Sequence, residues 1–354
     1  MFCGIKKSGR KDLALLFSKY PAAVAGVFTT NQFKAAPILI SEENIKGGIC
    51  RAIVANAGSA NCGTGEQGLK DAKEMVAETA NALGIKSSEV LVTSTGSIGK
   101  FLPMKKIVKG IKKLAENLKE KNGREIADAI LTTDTRPKEI ALSYKGIIVG
   151  GVAKGSGMIH PNMATMHAFV TTDAKISKIL LQRLLKEAVD KSFNLTTVDQ
   201  CQSTNDCVFI MANGASGLEV NDSNVKEFKE ALEKVCIYLA KEIVRDGEGA
   251  TQIFEVKVTG ARSEKEAGIA ARAIAGSDLL KCAIYGKDNN WGRIFAAAGS
   301  TTAKINPNKI KANIKFGKKE SLVTCDLGVG SYEASAWGCD LTEGYITINA
   351  KYHT

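Results

Sequence analysis

The sequence predicts a mixed α/β fold in which antiparallel or mixed sheets are favoured over a purely parallel one. Short apolar segments bounded by glycine and polar residues alternate with longer stretches of helical periodicity. Residues 139–152 are typical of a β-hairpin, which requires antiparallel pairing. The 34 glycines occur in short clusters rather than in one tract, as expected for tight turns and close backbone approach.

The first half of the chain contains most of the predicted strands. Short apolar runs predict strands at 12–17, 25–29, 52–55, 90–93, the hairpin 139–152, and about 166–172. Apolar residues at helical spacing predict helices over 69–83, ended by Gly84, and over 104–131, with a break near Asn122 and Gly123. Gly-rich loops are expected over 56–68 and 94–99.

The second half contains the strongest helix signal. Apolar residues recur every three or four positions over 223–245, which predicts an amphipathic helix. Ser263 and Glu266 form a capping-box pattern that opens a helix ending near Ala275. A further helix is predicted over 176–193, and strands over 208–212 and 250–259. The remainder is expected to alternate short strands and turns.

Composition limits the classes of function. The 354 residues suffice for two domains or one large one. The net charge of +11 is compatible with nucleic-acid binding, but the lysines are dispersed and aromatic residues are only 6%. A basic enzyme with anionic substrates, and no nucleic-acid partner, is therefore favoured. With three histidines and nine cysteines that form no CxxC pair, no metal site is predicted.

The expected location is the cytoplasm. The scattered cysteines are typical of reduced thiols. The N-terminal residues lack the apolar core of a signal peptide, and no apolar run reaches the length of a membrane span.

One literal nucleotide-binding pattern is present, Gly63 to Gly68 as GxGxxG between a strand and a helix. The predicted strand ends near Ala55, about eight residues before the first glycine, whereas the dinucleotide fingerprint follows its strand directly. No acidic residue follows the next strand to hold a ribose. The pattern is therefore interpreted as a Gly-rich loop before a helix N-terminus, which could still bind an anion or a backbone, and NAD binding is not favoured.

Thr165 is the candidate nucleophile. It follows the Gly-rich segment 154–160 and Pro161, at the junction of a loop with a predicted strand. A hydroxyl residue there suits self-cleavage: Thr165 Oγ attacks the carbonyl carbon of Ala164, an N-to-O acyl shift forms an ester, and water hydrolyses it. The freed α-amine can then act as a general base. An ordinary strand threonine remains the alternative. His160 and His167 lie nearby and are assigned no role.

Two further segments offer complementary chemistry. Thr95 and Gly96 follow a predicted buried strand, and a small hydroxyl beside a glycine N–H is a suitable composition for an oxyanion hole. Glu248 lies in a Gly-rich turn that could present its carboxylate to a substrate ammonium group. Taken singly, each is also compatible with an ordinary solvated turn.

Together these segments resemble the ornithine acetyltransferase family, the bifunctional glutamate N-acetyltransferases of arginine biosynthesis. The matching motifs are spread over nearly the whole chain. They are residues 25–31, 56–61, 94–96, 132–135, 154–159, 161–166, 203–206, 246–251, 290–294 and 349–354.

The resemblance implies an αββα-type sandwich similar to N-terminal-nucleophile hydrolases, with a smaller C-terminal lobe at about 250–354. It implies cleavage between Ala164 and Thr165 into an α chain, 1–164, and a β chain, 165–354. Two copies of each chain would form a heterotetramer.

The resemblance also implies the reaction. N2-acetylornithine acetylates Thr165 and releases ornithine, and L-glutamate then accepts the acetyl group in a ping-pong mechanism. Thr95 and Gly96 would stabilise the oxyanion. The implied substrate-binding residues are Thr132 or Thr133, Lys154, Thr165, Glu248, Asn349 and Thr354.

The family needs no metal or organic cofactor, and acetyl-CoA is a second acetyl donor in its bifunctional members. The competing classes are an amidase or aminopeptidase that uses Thr165 but passes the acyl group to water, and a basic nucleic-acid-binding protein. Lys154, Glu248 and the segment 349–354 favour an amino-acid acceptor over water.

Overall fold

The computed structural model describes residues 1–120, 123–160 and 166–351. The strands within these ranges are β1 (Leu13–Phe28), β2 (Ile49–Ser59), β3 (Val90–Ser97), β4 (Lys138–Tyr144), β5 (Ile147–Lys154), β6 (His167–Thr172), β7 (Thr196–Thr197), β8 (Cys207–Ala212), β9 (Ile253–Ala261), β10 (Lys311–Lys315), β11 (Glu320–Asp326) and β12 (Tyr332–Cys339). The α-helices are α1 (Ala36–Asn44), α2 (Gly65–Leu83), α3 (Met104–Glu116), α4 (Gly123–Ala129), α5 (Lys178–Asp190), α6 (Val225–Arg245), α7 (Glu264–Gly276), α8 (Asp278–Gly286), α9 (Trp291–Gly299) and α10 (Glu343–Ala350).

Two mixed β-sheets form the framework. The seven-stranded sheet has the order β3-β2-β1-β8-β6-β5-β4, in which β3 pairs parallel with β2 and β6 pairs parallel with β8. Its other pairs are antiparallel. The five-stranded sheet has the order β10-β11-β9-β12-β7 and also mixes both directions.

Helices cover both faces of the seven-stranded sheet. Successive strand residues point to opposite faces. Ala25 and Val27 of β1 accordingly join a core with α5 and α6, whereas Ala22 and Val24 join a core with α1 and α4. A further core places α2 and α3 against β1, β2 and β3.

The long helix α6 also contacts the second sheet. Its apolar residues share a core with Ile253, Trp337 and Cys339 of β9 and β12. The opposite side of these strands packs against α7, α8 and α9. The predicted fold class, a mixed α/β protein whose sheets are sandwiched by helices, is confirmed. The lobe boundary near residue 250 stays a prediction.

Some local predictions are wrong. The two strands predicted at 12–17 and 25–29 are parts of the single strand β1, because a bulge between Phe17 and Ala22 carries the pairing across the turn-like residues. The loop predicted over 94–99 is mostly the end of β3. The segment after Ala275, expected to be strands and turns, contains helices α8, α9 and α10.

No described helix is both long and apolar enough to cross a membrane.

Candidate active site

A cavity of about 320 Å³ opens where β3 and β5 end and β6 begins. It is lined by strand ends, by the segment before β8, and by residues from two C-terminal segments. The lining residues are Ala60, Thr95, Gly96, Ser97, Ile98, Thr132, Thr133, Lys154, Gly157, Met158, Met166, His167, Ser203, Thr204, Asn205, Asp206, Glu248 and Asn349.

Thr95 and Gly96 lie at the end of β3, where it runs parallel to β2. Gly96 has a φ of +128°, and a Cβ atom there would lie 2.5 Å from the carbonyl carbon of Gly58. Only glycine allows the two strands to approach this closely. The close approach fixes the backbone of Gly96 beside the hydroxyl of Thr95 at the wall of the cavity.

Lys154 ends β5 and crosses the cavity wall towards these residues. Its Nζ donates to Thr132 Oγ1 at 2.9 Å and to Thr95 Oγ1 at 3.3 Å. The side chain is buried, and burial lowers the pKa of Lys154, whereas the carboxylate of Asp134 opposes that shift. Lys154 therefore supplies a cation, or an amine that is easily deprotonated, next to Thr95.

A buried ionic network lies next to Lys154 and holds the backbone of Thr132 and Gly155. Lys138 Nζ lies 2.7 Å from Asp134 Oδ1 and 2.6 Å from Asp246 Oδ2. Asp134 also accepts from the backbone N–H groups of Gly155, at 2.7 Å, and Thr132, at 3.0 Å. Burial alone would raise the pKa of Asp134, but the ammonium groups of Lys138 and Lys154 and these hydrogen bonds hold it below its usual range.

Glu248 forms the other charged part of the cavity. It is 7% exposed, and its Oε2 accepts from Asn349 Nδ2 of α10 at 2.8 Å. A Cβ atom on Gly157 would lie 2.3 Å from the Glu248 carboxylate, so only a glycine fits there. Glu248 N also donates to Ser156 O at 3.0 Å. The carboxylate is thus held between the loop after β5 and the C-terminal helix.

His167 and Asn205 line the cavity beside β3. His167 Nε2 lies 3.0 Å from the carbonyl oxygen of Asn205, so this nitrogen carries the proton. Burial, with a smaller effect of Lys154, lowers the pKa of His167 to about 3, and the ring is neutral. Asn205 Nδ2 donates to Ala60 O at 2.6 Å and to Ser94 O at 2.8 Å.

The predicted site residues that the structure describes lie together at one cavity. Thr95, Gly96, Thr132, Thr133, Lys154, Glu248 and Asn349 line the same cavity. Of the threonine pair, Thr132 contacts Lys154. Ala164, Thr165 and Thr354 lie outside the described residues, so the roles of the nucleophile, the cleavage site and the terminal residue stay predictions.

Sequence reasoning missed the supporting residues. Asp134 and Asp246 belong to motifs noted above but were assigned no role, and Lys138 was not singled out. Asp134 and Asn205 are polar residues inside the matching motifs, and this position was the signal available for them. Lys138 lies outside these motifs and gave no such signal.

Within the described ranges, no cluster of three or more His, Cys, Asp or Glu side chains is arranged to hold a metal ion. The predicted lack of a cofactor remains a prediction.

Comparison with known proteins identifies similar chains over the full length. The ArgJ family profile matches residues 1–354. The arginine biosynthesis bifunctional protein ArgJ of Symbiobacterium thermophilum is 46% identical over 98% of this chain and 93% of its own length. The protein of the same name from Bacillus licheniformis is 45% identical over 99% and 93%. A crystal structure of arginine biosynthesis bifunctional protein ArgJ from Bacillus halodurans is 40% identical, with a TM-score of 0.50. The matched region covers 52% of this chain and 98% of the Bacillus halodurans chain.

Proposed function

The chain belongs to the ArgJ family, and we propose that it transfers an acetyl group from N2-acetyl-L-ornithine to L-glutamate in arginine biosynthesis. The observation that carries this proposal is the placement of Lys154 and Glu248 in one cavity with Thr95 and Gly96. The cavity thus offers a cation, a carboxylate and an oxyanion pair together. Relatives named for a bifunctional protein of arginine biosynthesis support the same pathway.

The two charged residues match the two charged groups of the donor. N2-acetylornithine has an α-carboxylate and a side-chain ammonium group. Lys154 would bind the carboxylate, with Thr132 beside it at 2.9 Å. Glu248 would bind the ammonium group, with Asn349 fixing the orientation of its carboxylate. A donor bound in this way spans the cavity past Thr95 and Gly96.

Thr165 would carry the acetyl group between substrates. Its hydroxyl attacks the acetyl carbon, its α-amine takes the hydroxyl proton, and the oxyanion that forms is stabilised by Thr95 and Gly96. Collapse of the intermediate breaks the C–N bond, and the proton passes to the departing amine of ornithine. The amine of glutamate then attacks the acetyl ester, and Thr165 leaves as the free hydroxyl with N-acetylglutamate as product.

The α-amine of Thr165 would arise by self-cleavage after Ala164, which divides the chain into 1–164 and 165–354. The solved relative from Bacillus halodurans supports this division, since 98% of its chain matches only 52% of this one. A chain of about half length is expected from a precursor cut near its middle. The heterotetramer of two α and two β chains, and the C-terminal lobe at about 250–354, belong to the same proposal.

Incubation of the purified protein with N2-acetylornithine tests the reaction. Wild type should turn over, forming N-acetylglutamate and ornithine, only when glutamate is added. Without glutamate, ornithine release should stop at one equivalent per active site, because the acetyl-enzyme accumulates. Release of free acetate that does not depend on glutamate would replace the transferase by a hydrolase. A parallel incubation of acetyl-CoA with glutamate tests the second donor that bifunctional family members use.

Intact mass tests the nucleophile. Wild type should give two fragments, the second beginning at Thr165, whereas Thr165→Ala should give one uncut, inactive chain. Thr301→Ala, which changes a threonine that does not line the cavity, is the matched control and should be cut and active. An uncut wild type with full activity would rule out this mechanism.

A further inference from the structure

The oxyanion pair depends on how closely two strand ends are held. Thr95 and Gly96 belong to β3, and Gly96 fits only because its backbone lies against that of Gly58. The pairing of β2 and β3 is irregular here, with a register shift at Gly58 and Ser59. Regular ladder hydrogen bonds therefore do not by themselves fix the position of Thr95 and Gly96 at this point.

The Ser94 Oγ to Asn56 Oδ1 hydrogen bond joins the two strands near this point, and a buried side chain from outside both strands adds a further bridge. Asn205 Nδ2 donates both of its hydrogens, one to Ala60 O just beyond β2 and one to Ser94 O on β3. These distances are 2.6 and 2.8 Å, and Asn205 is 4% exposed. A primary amide is suited to this bridge because one nitrogen carries two hydrogens at a fixed angle. An aspartate of the same shape has no such donor.

The amide of Asn205 is itself held in place. Its Oδ1 accepts from Thr204 Oγ1 at 2.6 Å, which fixes which end of the amide carries the nitrogen. Its backbone carbonyl accepts from His167 Nε2 at 3.0 Å. His167 begins β6, two residues after Thr165. Asn205 thus connects the ends of β2 and β3 with the strand that follows the proposed nucleophile.

We propose that Asn205 is a positioning residue for acetyl transfer, which sets Thr95 and Gly96 against the strand that follows Thr165. Asn205 acts through Ser94 and the strand ends rather than on the substrate. The inference rests on the proposed function, because it assigns a purpose to the oxyanion pair of that reaction. It predicts that loss of the amide donor reduces the stabilisation of the transition state. The binding of the substrate's charged groups by Lys154 and Glu248 should not change.

Asn205→Asp is the primary test, since it keeps the shape and places an oxygen where two hydrogens were donated. We expect kcat for acetyl transfer to fall roughly 100-fold, the usual loss when an oxyanion contact is removed, with KM for N2-acetylornithine nearly unchanged. An unchanged kcat, or a rise in KM alone, would overturn the proposal. A wild type that transfers no acetyl group would instead refute the proposed function, so the two failures are distinguishable.

Asn44→Asp, at the end of α1, is the matched control. Asn44 Nδ2 also bridges two carbonyl groups, Ser87 O at 3.1 Å and Val90 O at 2.8 Å, but at the opposite end of β3. We expect its loss to lower thermal stability and leave kcat at the wild-type value. An equal fall in kcat for both variants would mean that any loosening of β3 has the same effect, and Asn205 would have no special role.

A binding measurement separates positioning from general structural damage. The probes are L-ornithine and a methylphosphonamidate analogue of N2-acetylornithine, whose tetrahedral anion mimics the intermediate. In Asn205→Asp, affinity for the analogue should fall by the same factor as kcat, and affinity for L-ornithine should change by no more than about twofold. Parallel losses for both ligands would contradict the proposal.

The histidine contact offers a second route if Asn205→Asp does not fold. His167→Gln keeps an N–H donor for the Asn205 carbonyl, whereas His167→Leu removes it. We expect kcat to fall in His167→Leu and to recover in His167→Gln. Equal kcat in the two variants would contradict the part that this carbonyl contact plays.

Discussion

The two charged parts of the cavity are built in different ways. Lys154 ends β5, an inner strand, and the N–H of its neighbour Gly155 donates to Asp134, which pairs with the buried Lys138. Glu248 lies in a turn after α6 and is oriented by Asn349 of α10, a helix with no buried residue. The first part is therefore preformed by the core of the seven-stranded sheet. The second depends on a terminal helix that contributes nothing to a core.

This difference indicates how damage should spread. At the Lys154 part, removal of a supporting group leaves other buried charges without compensation, so stability and activity should fall together. At the Glu248 part, a change should stay local, because Asn349 is exposed and water can replace its contact. Variants at each part can test this asymmetry.

The largest effect is expected for Asp134→Asn. The change removes the carboxylate that pairs with Lys138 and acts electrostatically on Lys154, and both ammonium groups remain buried. The free energy of unfolding should fall by about 3 to 5 kcal/mol, measured by chemical denaturation. Asp128→Asn, which alters a half-exposed ion pair with Lys11, is the control and should cost less than about 1 kcal/mol. Equal losses would mean that the buried network is no more important than a surface pair.

Lys154→Met should reduce activity strongly. Loss of the ammonium group removes a charged hydrogen bond to the donor carboxylate, worth about 1.5 to 3 kcal/mol, or roughly 10- to 100-fold in kcat/KM. N-acetylputrescine, which lacks the carboxylate, should be equally poor for wild type and variant. Lys241→Met, in an ion pair with Glu255 outside the cavity, should keep wild-type kinetics. A variant that still prefers N2-acetylornithine would show that Lys154 does not bind the carboxylate.

The predicted motifs identified the parts of the site that touch the cavity better than the parts that support them. Thr95, Lys154 and Glu248 stand next to glycines in short motifs, and this combination is readable locally. The Lys138 to Asp246 contact joins residues separated by 108 positions. Such a pairing depends on the packing of α6 against β4 and β5, which no local pattern reveals.

The C-terminal helix illustrates the same limit for the fold. Residues 345–348, Tyr-Ile-Thr-Ile, have the aromatic and β-branched character of a strand, which favours the wrong expectation. Thr342 instead caps a helix by accepting from the backbone N–H groups of Gly344 and Tyr345. Gly249 allows that helix to approach, since a Cβ atom there would lie 2.3 Å from Tyr345 N. Tertiary contact thus decides against local propensity.

Alkaline pH should act on the Lys154 part in the same direction as Lys154→Met. Burial lowers the pKa of Lys154, so it loses its proton at a lower pH than an ordinary lysine, although Asp134, Asp206 and Glu248 oppose this. As pH rises through that range, the ratio of kcat/KM for N2-acetylornithine to that for N-acetylputrescine should fall towards the value in Lys154→Met. Titration of the α-amine of Thr165 affects both acetyl donors equally and therefore cancels in this ratio. A ratio constant with pH would contradict the assignment.

The smallest effects are expected at the Glu248 part. Glu248→Gln keeps the shape of the side chain but loses the charge, and we expect kcat/KM for N2-acetylornithine to fall roughly 10-fold, equivalent to about 1.4 kcal/mol. For N-acetylnorvaline, which lacks the ammonium group, kcat/KM should be the same in Glu248→Gln as in wild type. Asn349→Ala removes only an exposed donor at 2.8 Å from Glu248 and should cost about 0.5 to 1 kcal/mol, a change of a few-fold. Neither variant should lower the free energy of unfolding as Asp134→Asn does. If Asn349→Ala destabilised the protein to that extent, α10 would be part of the core, and the contrast between the two parts of the cavity would be lost.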